Sequence, residues 1–144
     1  MTELPTGYLP ANTNSPFGRF VGDLYEKVDA EGRAWRGLRV EEKHANLAGI
    51  GHGGLMMTLA DLVLSQVIRH AGFAPTVTVR MTTDFLGPAH VGDWLEGTGQ
   101  VDRATSTLVF VSGALQVGER KLLTCTGLFN RISKRHAPKG TVEG

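Results

Sequence analysis

The stretch that decides the fold is "NLAGIGHGGLMMTLAD", Asn46–Asp61. A glycine-rich turn with one histidine leads into an apolar run that contains a single aspartate. The periodicity predicts one long helix over Gly53–Ala71, which the "GFAP" sequence at 72–75 ends with glycine and proline. Apolar residues cover most of the circumference of this helix, so we expect protein to surround it. They are Leu55, Met56, Leu59, Leu62, Val63, Val67 and Ile68.

Runs with strand character lie on both sides of the helix. "TVTVRMTTDF" (76–85) alternates with a period of two, which predicts a strand. Its polar face would carry Thr78, Arg80, Thr82 and Asp84. "WLEGTGQVDRA" and two β-rich runs joined by "GERK" follow, and an earlier hairpin is predicted around Asp29–Gly32. A helix that is apolar nearly all round needs a sheet that curves over it. We therefore predict an α+β fold, an antiparallel sheet wrapped around one long central helix.

The composition suits a single globular domain. The chain has 144 residues, of which 41% are apolar and 20% are charged. Its 15 basic and 14 acidic residues leave a formal charge of +1, which argues against broad electrostatic binding to nucleic acid or to an anionic membrane. We predict an irregular N-terminal arm over 1–16, one domain over 17–132 and a mobile tail over 133–144.

The sequence favours a cytoplasmic protein. Its only cysteine, Cys125, can form no internal disulfide, and we interpret it as a packing residue in a strand. The first residues contain no apolar stretch of the signal-peptide kind. The apolar region around 55–68 is too short and too polar to span a bilayer, so no membrane partner is expected.

Two features of the opening stretch carry chemistry. Glycines bracket His52 where the helix starts, and a helix N-terminus offers unpaired backbone N–H groups that glycine lets other groups approach. The turn is therefore a candidate anion site or oxyanion hole. A buried Asp61 would need polar neighbours, and Thr58 and Ser65 lie on its side of the helix. Taken alone, each feature has a structural alternative, a surface aspartate and a tight turn.

The two features cannot form one small site within a single chain. His52 precedes Asp61 by nine residues, and nine residues of helix rise about 13.5 Å. If both act on one substrate, a second chain must supply one of them. Two antiparallel central helices packed about a two-fold axis would bring them together, which predicts two equivalent sites at a symmetric dimer interface.

The order of these motifs resembles that of the hotdog-fold acyl-CoA thioesterases of the phenylacetate-degradation (PaaI-like) type. That family combines an N-x-x-G-x-x-H-G-G turn, an acidic residue further along the helix, a strand with Ser or Thr, and a P-A-x-x-G-D-like turn. Here they occur as "NLAGIGHGGLMMTLAD" and "VTVRMTTDFLGPAHVGD", and the match extends from Asp23 to Arg131. The resemblance implies the hotdog fold and hydrolysis of an acyl-CoA thioester to a free acid and coenzyme A.

The resemblance also implies roles for individual residues. Asp61 would attack the thioester or activate a water, and Thr78 would hydrogen-bond the reacting carboxylate or water. These two would come from one subunit. From the other subunit, the Gly53 N–H would polarise the thioester carbonyl, and Asn46 would orient the water or the surroundings of the nucleophile. His52 of that subunit would lie near the sulfur or support the turn.

Substrate contacts and partners complete the prediction. Gly54 and Leu55 are expected to contact the substrate. Leu55, Met56, Leu59 and the N-terminal arm are expected to shape an apolar acyl pocket. The expected partner is an acyl-CoA, with no nucleic acid, and with no cofactor beyond the coenzyme A of the substrate. No metal is expected, because no Cys/His cluster has metal-ligand spacing. We expect a homodimer as the minimum and a homotetramer as the assembly.

Other readings stay open at this point. A hotdog-fold enoyl-acyl hydratase or dehydratase usually places Asp and His close together, unlike this chain. A non-catalytic acyl-CoA-binding protein is a further alternative, whereas a DNA-binding regulator would need a basic recognition helix that the first 45 residues lack. Arg80 is expected to pair with Asp84 or with a phosphate of coenzyme A, and the basic cluster Asn130–His136 to meet those phosphates or to keep the tail solvated.

Overall fold

The structure is a computed structural model and describes residues 3–12 and 15–132. Its helices are α1 (Pro16–Val21) and α2 (Gly53–His70), with a 3₁₀ helix over Glu42–His44. Its strands are β1 (Leu9–Pro10), β2 (Tyr25–Val28), β3 (Ala34–Arg39), β4 (Thr76–Phe85), β5 (Trp94–Ala104), β6 (Leu108–Val117) and β7 (Arg120–Arg131). The central helix and the strand over 76–85 lie where the sequence predicts them. The predicted tail over 133–144 lies outside the described residues.

The strands form one antiparallel sheet in the order β1-β2-β3-β5-β6-β7-β4. Both predicted hairpins are confirmed, since β2 pairs with β3 and β6 pairs with β7. The strand that follows α2 does not pair with its successor in the chain. Instead, β4 pairs with β7 and forms one edge of the described sheet.

The long helix lies against most of this sheet. It contacts β3, β4, β5, β6 and β7, so the predicted architecture of a sheet around one central helix is confirmed. Leu64 in the middle of α2 is fully buried. A Cβ atom at Gly113 would lie 3.0 Å from the Leu64 side chain, and one at Gly127 would lie 2.9 Å from it. Glycine at these strand positions therefore lets the helix approach the sheet closely.

The alternation of β4 differs from the prediction at one point. A bulge shifts its register with β7, so that Thr78 pairs with Phe129 and Arg80 pairs with Leu128. Phe129 is fully buried in the core, which puts Thr78 on the helix side of the sheet. Arg80 lies on the opposite side, because neighbouring residues of β7 face opposite ways. The prediction that Thr78 shares a face with the polar residues after it was wrong, since the extra residue Val79 reverses the alternation.

A buried arginine fastens the helix to the sheet. Arg36 of β3 is fully buried, and its guanidinium donates to the Leu62 carbonyl at 3.2 Å. It also donates to the Glu26 carboxylate at 3.1 Å and to the Gln66 side chain at 3.3 Å. These bonds compensate the cost of burying the charge, and they fix the part of α2 that follows Asp61 against β3.

The N-terminal segment is more regular than the predicted irregular arm. Leu9–Pro10 pairs with β2, and α1 begins at Pro16, the last residue of that arm. The Tyr8 hydroxyl donates to Glu96 at 2.7 Å, and the Tyr8 ring packs edge-on against Trp94. Burial and the neighbouring carboxylate raise the pKa of this tyrosine well above its usual value. The segment is therefore attached to the sheet at Tyr8 and at β1.

Candidate functional site

The turn that precedes α2 is shaped by the side chain of Asn46. Its Oδ1 accepts hydrogen bonds from the N–H groups of Ala48 at 2.9 Å and Ile50 at 3.3 Å. The Gly51 N–H donates to the Ala89 carbonyl at 2.7 Å, which ties the turn to the loop after β4. Within the described residues, the Nδ2 amino group of Asn46 has no acceptor, so it is the part of the carboxamide that can bind another molecule.

His52 caps the N-terminus of α2. Its Nδ1 accepts from the Gly54 N–H at 2.8 Å, and its carbonyl accepts from Leu55 at 3.0 Å and Met56 at 3.3 Å. Of the first four N–H groups of the helix, only that of Gly53 has no acceptor among residues 3–12 and 15–132. Because helix N-termini carry partial positive charge, this N–H is available to an anionic or polarised oxygen.

The Asp61 carboxylate is held by a strand residue. The Thr78 hydroxyl donates to Asp61 Oδ1 at 2.6 Å, a contact that the bulge in β4 makes possible. The two hydroxyls predicted to surround Asp61 behave differently. Thr58 donates to the Gly54 carbonyl at 2.9 Å, and the Ser65 hydroxyl is buried without a hydrogen-bond partner in the described part of the chain. Neither hydroxyl is therefore hydrogen-bonded to Asp61, and the placement of the two residues on its side of the helix stays a prediction.

The predicted site residues fall into two groups within one chain. Asn46, His52 and Gly53 form the turn group, and Asp61 and Thr78 form the carboxylate group. Gly53 and Asp61 are eight residues apart on one helix, which corresponds to a rise of about 12 Å. A reacting thioester is too small to contact both groups of the same chain.

The two groups lie at opposite ends of β4. Thr78 is near the start of the strand, whereas a Cβ atom at Gly53 would lie 3.6 Å from the ring of Phe85 at its end. The helix and the edge strand therefore run antiparallel, side by side. Phe85 is 52% exposed despite its size, and the sequence prediction gave it no role. Nothing in the alternating pattern of the strand distinguishes Phe85 from the other strand residues.

Two predicted substrate contacts are already engaged within the chain. The Gly54 N–H is bonded to His52, and Leu55 is 8% exposed in the core. Met56 and Leu59 are buried as well, so the predicted acyl pocket is not open in a single chain. The substrate contacts of Gly54 and Leu55 stay predictions. A shallow depression beside the turn is lined by Ala45, Asn46, Leu47, Ala48 and His52.

The remaining charged and nucleophilic groups lie away from the turn. Within the described residues no ion pair joins Arg80 to Asp84, so that predicted pairing was wrong. Cys125 is buried, which agrees with the predicted packing role, and burial raises the pKa of its thiol to about 11. No group of three or more His, Cys, Asp or Glu side chains in residues 3–12 and 15–132 is placed to hold a metal ion. Most of the basic cluster Asn130–His136 lies outside the described residues.

His44 is a second residue that the sequence prediction missed. It is 7% exposed, and its carbonyl accepts from the His52 N–H at 2.7 Å. That bond closes the base of the turn. The available signal is its spacing of three residues from Glu41, because residues at this spacing can cap the start of a short helix reciprocally.

In the part of the chain that the structure describes, no helix combines the length and the hydropathy needed to cross a membrane. The cytoplasmic location, the homotetramer and the absence of a cofactor stay predictions.

Solved structures share this architecture. The PaaI protein of the Escherichia coli phenylacetic acid degradation operon superposes with a TM-score of 0.74 at 25% identity, over 89% of this chain and 88% of that one. A hypothetical thioesterase protein of Streptococcus pneumoniae, solved with coenzyme A, superposes with a TM-score of 0.69 at 20% identity. The superposition covers 76% of this chain and 86% of the streptococcal chain. At this identity it supports the fold alone. The predicted hotdog fold is confirmed.

Sequence comparisons agree with the structural ones. An esterase candidate of Pseudomonas aeruginosa is 37% identical over 132 residues, which cover 90% of this chain and 98% of the relative. Acyl-coenzyme A thioesterase 13 of Homo sapiens is 34% identical over 98 residues, 67% of this chain and 69% of its own. The family model described as the thioesterase superfamily matches residues 48–124, which are more than half of the chain and include His52, Gly53, Asp61 and Thr78 but not Asn46. The resemblance predicted from the order of the motifs is thus confirmed, and this chain belongs to the thioesterase superfamily.

Proposed function

We propose that this protein hydrolyses an acyl-CoA thioester to a free acid and coenzyme A. Membership of the thioesterase superfamily supports the reaction class. The human relative named acyl-coenzyme A thioesterase 13 supports the substrate class. The observation that carries the proposal is the Gly53 N–H, the one amide in the first turn of α2 without an acceptor among the described residues.

The turn group would bind the thioester. Its carbonyl oxygen would accept from the Gly53 N–H, and the positive end of the helix dipole would stabilise the charge that develops during attack. His52 uses Nδ1 to accept from Gly54, so its neutral ring carries the proton on Nε2 and can donate it toward the thioester sulfur. The Nδ2 amino group of Asn46 is the remaining donor for the water or the substrate.

The carboxylate group would supply the attack. Asp61 either adds to the carbonyl carbon itself or takes a proton from the water that adds there. By either route the carbon–sulfur bond breaks and coenzyme A leaves as a thiolate. Where Asp61 adds to the carbonyl carbon, an acyl–Asp61 anhydride forms, and water then cleaves its carbon–oxygen bond to release the acid and regenerate the carboxylate. Over the whole reaction one water is consumed, which supplies a hydroxyl to the acid and a proton to the thiolate. The Thr78 hydroxyl, 2.6 Å from Asp61 Oδ1, orients the carboxylate for this step.

A homodimer formed at β4 would join the two groups. An exposed edge strand is a template for another strand, and on β4 the side chains of Val77, Val79 and Phe85 are 42%, 56% and 52% exposed. Antiparallel pairing of two copies of β4 about a two-fold axis sets the start of one strand beside the end of the other. Asp61 would then face Gly53 of the partner subunit, and each dimer would contain two equivalent sites.

The activity itself is tested by release of free thiol from a panel of aryl, short-chain and medium-chain acyl-CoA substrates. We expect at least one substrate to be cleaved about 10³-fold or more above the uncatalysed rate. Binding of acyl-CoA without cleavage would favour the non-catalytic alternative, and hydration of an enoyl-CoA would favour the hydratase.

The two-subunit site is tested with mixed dimers purified through two different tags. One subunit carries Asp61→Asn and the other Gly53→Pro, which removes the N–H at the first helical position, where proline is tolerated. One of the two sites in this dimer stays intact, so we expect about half of the wild-type activity per dimer.

The matched control places the same two substitutions on one subunit and leaves its partner wild type. Both sites of this dimer are then damaged, so we expect almost no activity. A site built within one chain predicts the reverse pattern, an inactive first dimer and a half-active second one. That result would overturn the shared site and leave the thioesterase activity untouched.

A further inference from the structure

We propose that His44 is a positioning residue that holds the turn group in its working geometry, an inference that rests on the proposed function. His44 is only 7% exposed, and each of its ring nitrogens is hydrogen-bonded to a backbone group. Nδ1 accepts from the Glu41 N–H at 2.9 Å, and Nε2 lies 2.7 Å from the Val21 carbonyl oxygen. A carbonyl only accepts, so Nε2 carries the proton and the bonds fix the neutral Nε2–H tautomer.

The backbone of His44 contacts the turn directly. Its carbonyl accepts from the His52 N–H at 2.7 Å. The next residue, Ala45, forms an antiparallel bridge with Gly51. The loop between them therefore closes on itself, with His44 and His52 as its base.

The side chain and the backbone of His44 thus join three elements. Val21 is the last residue of α1, Glu41 precedes the 3₁₀ helix, and His52 caps α2. A shift of His44 would move the His52 N–H, and with it the Gly53 N–H, relative to the rest of the subunit. A donor displaced by about 1 Å from its reacting geometry can cost about 100-fold in rate, so His44 affects turnover without touching substrate.

The chain offers a matched control for this histidine. His70 also places Nε2 near a backbone carbonyl, 2.9 Å from that of Gly32, but it lies at the far end of α2. His44→Ala removes both ring bonds and leaves the backbone bond to His52. His44→Gln keeps a donor at the reach of Nε2, so it separates loss of the histidine from loss of its bond to Val21.

With a substrate that the wild-type protein cleaves, we expect His44→Ala to lower kcat about 30-fold to 100-fold while KM changes less than about threefold. His44→Gln is expected to recover kcat to within about fivefold of wild type, and His70→Ala to stay within about twofold. Equal losses in the two alanine variants, or a loss confined to KM, would overturn the proposal.

Amide hydrogen exchange gives a readout that needs no activity. We expect His44→Ala to speed exchange of the His52 N–H at least about tenfold, while amides in the middle of α2, such as that of Leu64, keep their protection. Unchanged exchange at His52 would overturn the positioning role. If His44→Ala does not fold, His44→Asn replaces it under the same criteria. Asparagine keeps an acceptor near the position of Nδ1 and loses the bond to Val21. A wild-type protein that cleaves no acyl-CoA would refute the proposed function, and the exchange result would still decide the role of His44 in the turn.

Discussion

The turn group and the carboxylate group are held in place by different kinds of contact. In the turn group, Asn46 and His52 accept hydrogen bonds from N–H groups two to four residues further along the chain. In the carboxylate group, Asp61 and Thr78 are 17 residues apart, and their contact depends on the register between β4 and β7. The first group is therefore a property of a short motif, and the second is a property of the assembled sheet. We therefore expect substitutions in the turn group and in the carboxylate group to reduce activity for different structural reasons.

The largest effect is expected from Asp61→Asn, which removes the reacting carboxylate from its group. Asparagine has nearly the same size and keeps an oxygen that accepts from Thr78, so the fold should persist. It cannot attack a thioester or take a proton from water at a useful rate. We expect kcat for release of coenzyme A to fall about 10³-fold or more.

Asp102→Asn is the matched control for that variant. Asp102 is an exposed carboxylate on β5, an inner strand of the sheet and not the strand proposed to form the dimer. Its substitution should change kcat less than about twofold, because a surface charge away from the reacting atoms contributes little. A folded Asp61→Asn dimer that retains more than a tenth of wild-type activity would exclude Asp61 from the chemistry.

The turn group is tested by removing one backbone N–H donor. Gly53→Pro deletes the N–H at the first position of α2, where proline suits the helix. The preceding His52 has φ −62° and ψ 140°, a conformation that proline accepts in its neighbour. We expect kcat to fall about 100-fold to 1,000-fold with thermal unfolding little changed, because an oxyanion donor is lost.

Gly53→Ala separates the N–H from the space around it. Alanine keeps the donor, and its Cβ would lie 3.6 Å from the Phe85 ring, an ordinary packing distance. We expect less than about a tenfold loss of kcat for this variant. If the alanine and proline variants lose the same activity, steric exclusion explains the effect and the N–H has no special role.

The same contrast explains what the sequence could predict. The glycine-rich turn, the start of α2 and the separation of Gly53 from Asp61 follow from local geometry, because rise per residue and helix capping depend on neighbouring residues. The resemblance named Thr78 as the partner of Asp61. The alternation placed Thr78 on a face that the structure does not support, because a bulge depends on pairing with another strand and leaves no mark in the pattern.

Burial limited the prediction in the same way. Thr58 and Ser65 have the correct spacing to flank Asp61 on a helix, yet one donates to its own helix backbone and the other is buried. Arg36 lies fully inside the protein, where charged residues are rarely expected, because the Glu26 carboxylate, the Leu62 carbonyl and the side chain of Gln66 accept from its guanidinium. Partners of this kind come from distant parts of the chain, so one-sequence patterns do not identify them.

A smaller effect is expected when the contact within the carboxylate group is removed and the turn group is left unchanged. Thr78→Val has nearly the same shape but cannot donate to Asp61, whose carboxylate is then less well oriented. We expect kcat to fall about tenfold, and Thr78→Ser, which restores the hydroxyl, to stay within about threefold of wild type. Steady-state kinetics on both variants measures this, and equal rates for valine and serine would mean that the 2.6 Å bond does not contribute to turnover.

The smallest effect concerns Cys125, which pairs with Thr83 two residues before the end of β4. Burial raises the pKa of its thiol from 9.0 to about 11. Between those values the unfolded thiol has lost its proton and the folded one keeps it. The free energy of unfolding should therefore fall as pH rises, by at most about 1.4 kcal/mol per pH unit.

Urea unfolding at pH 8, 9 and 10 measures this dependence, and Cys125→Ala should lack it because no thiol titrates. The difference between the two proteins isolates the contribution of Cys125 from that of every other titratable group. If the free energy of unfolding falls with pH by the same slope in Asp61→Asn and Gly53→Pro as in the wild type, β4 stays packed against β7 in both variants. Their losses of activity would then belong to the two groups themselves, whereas a lost slope in either variant would trace its inactivity to a loosened edge strand.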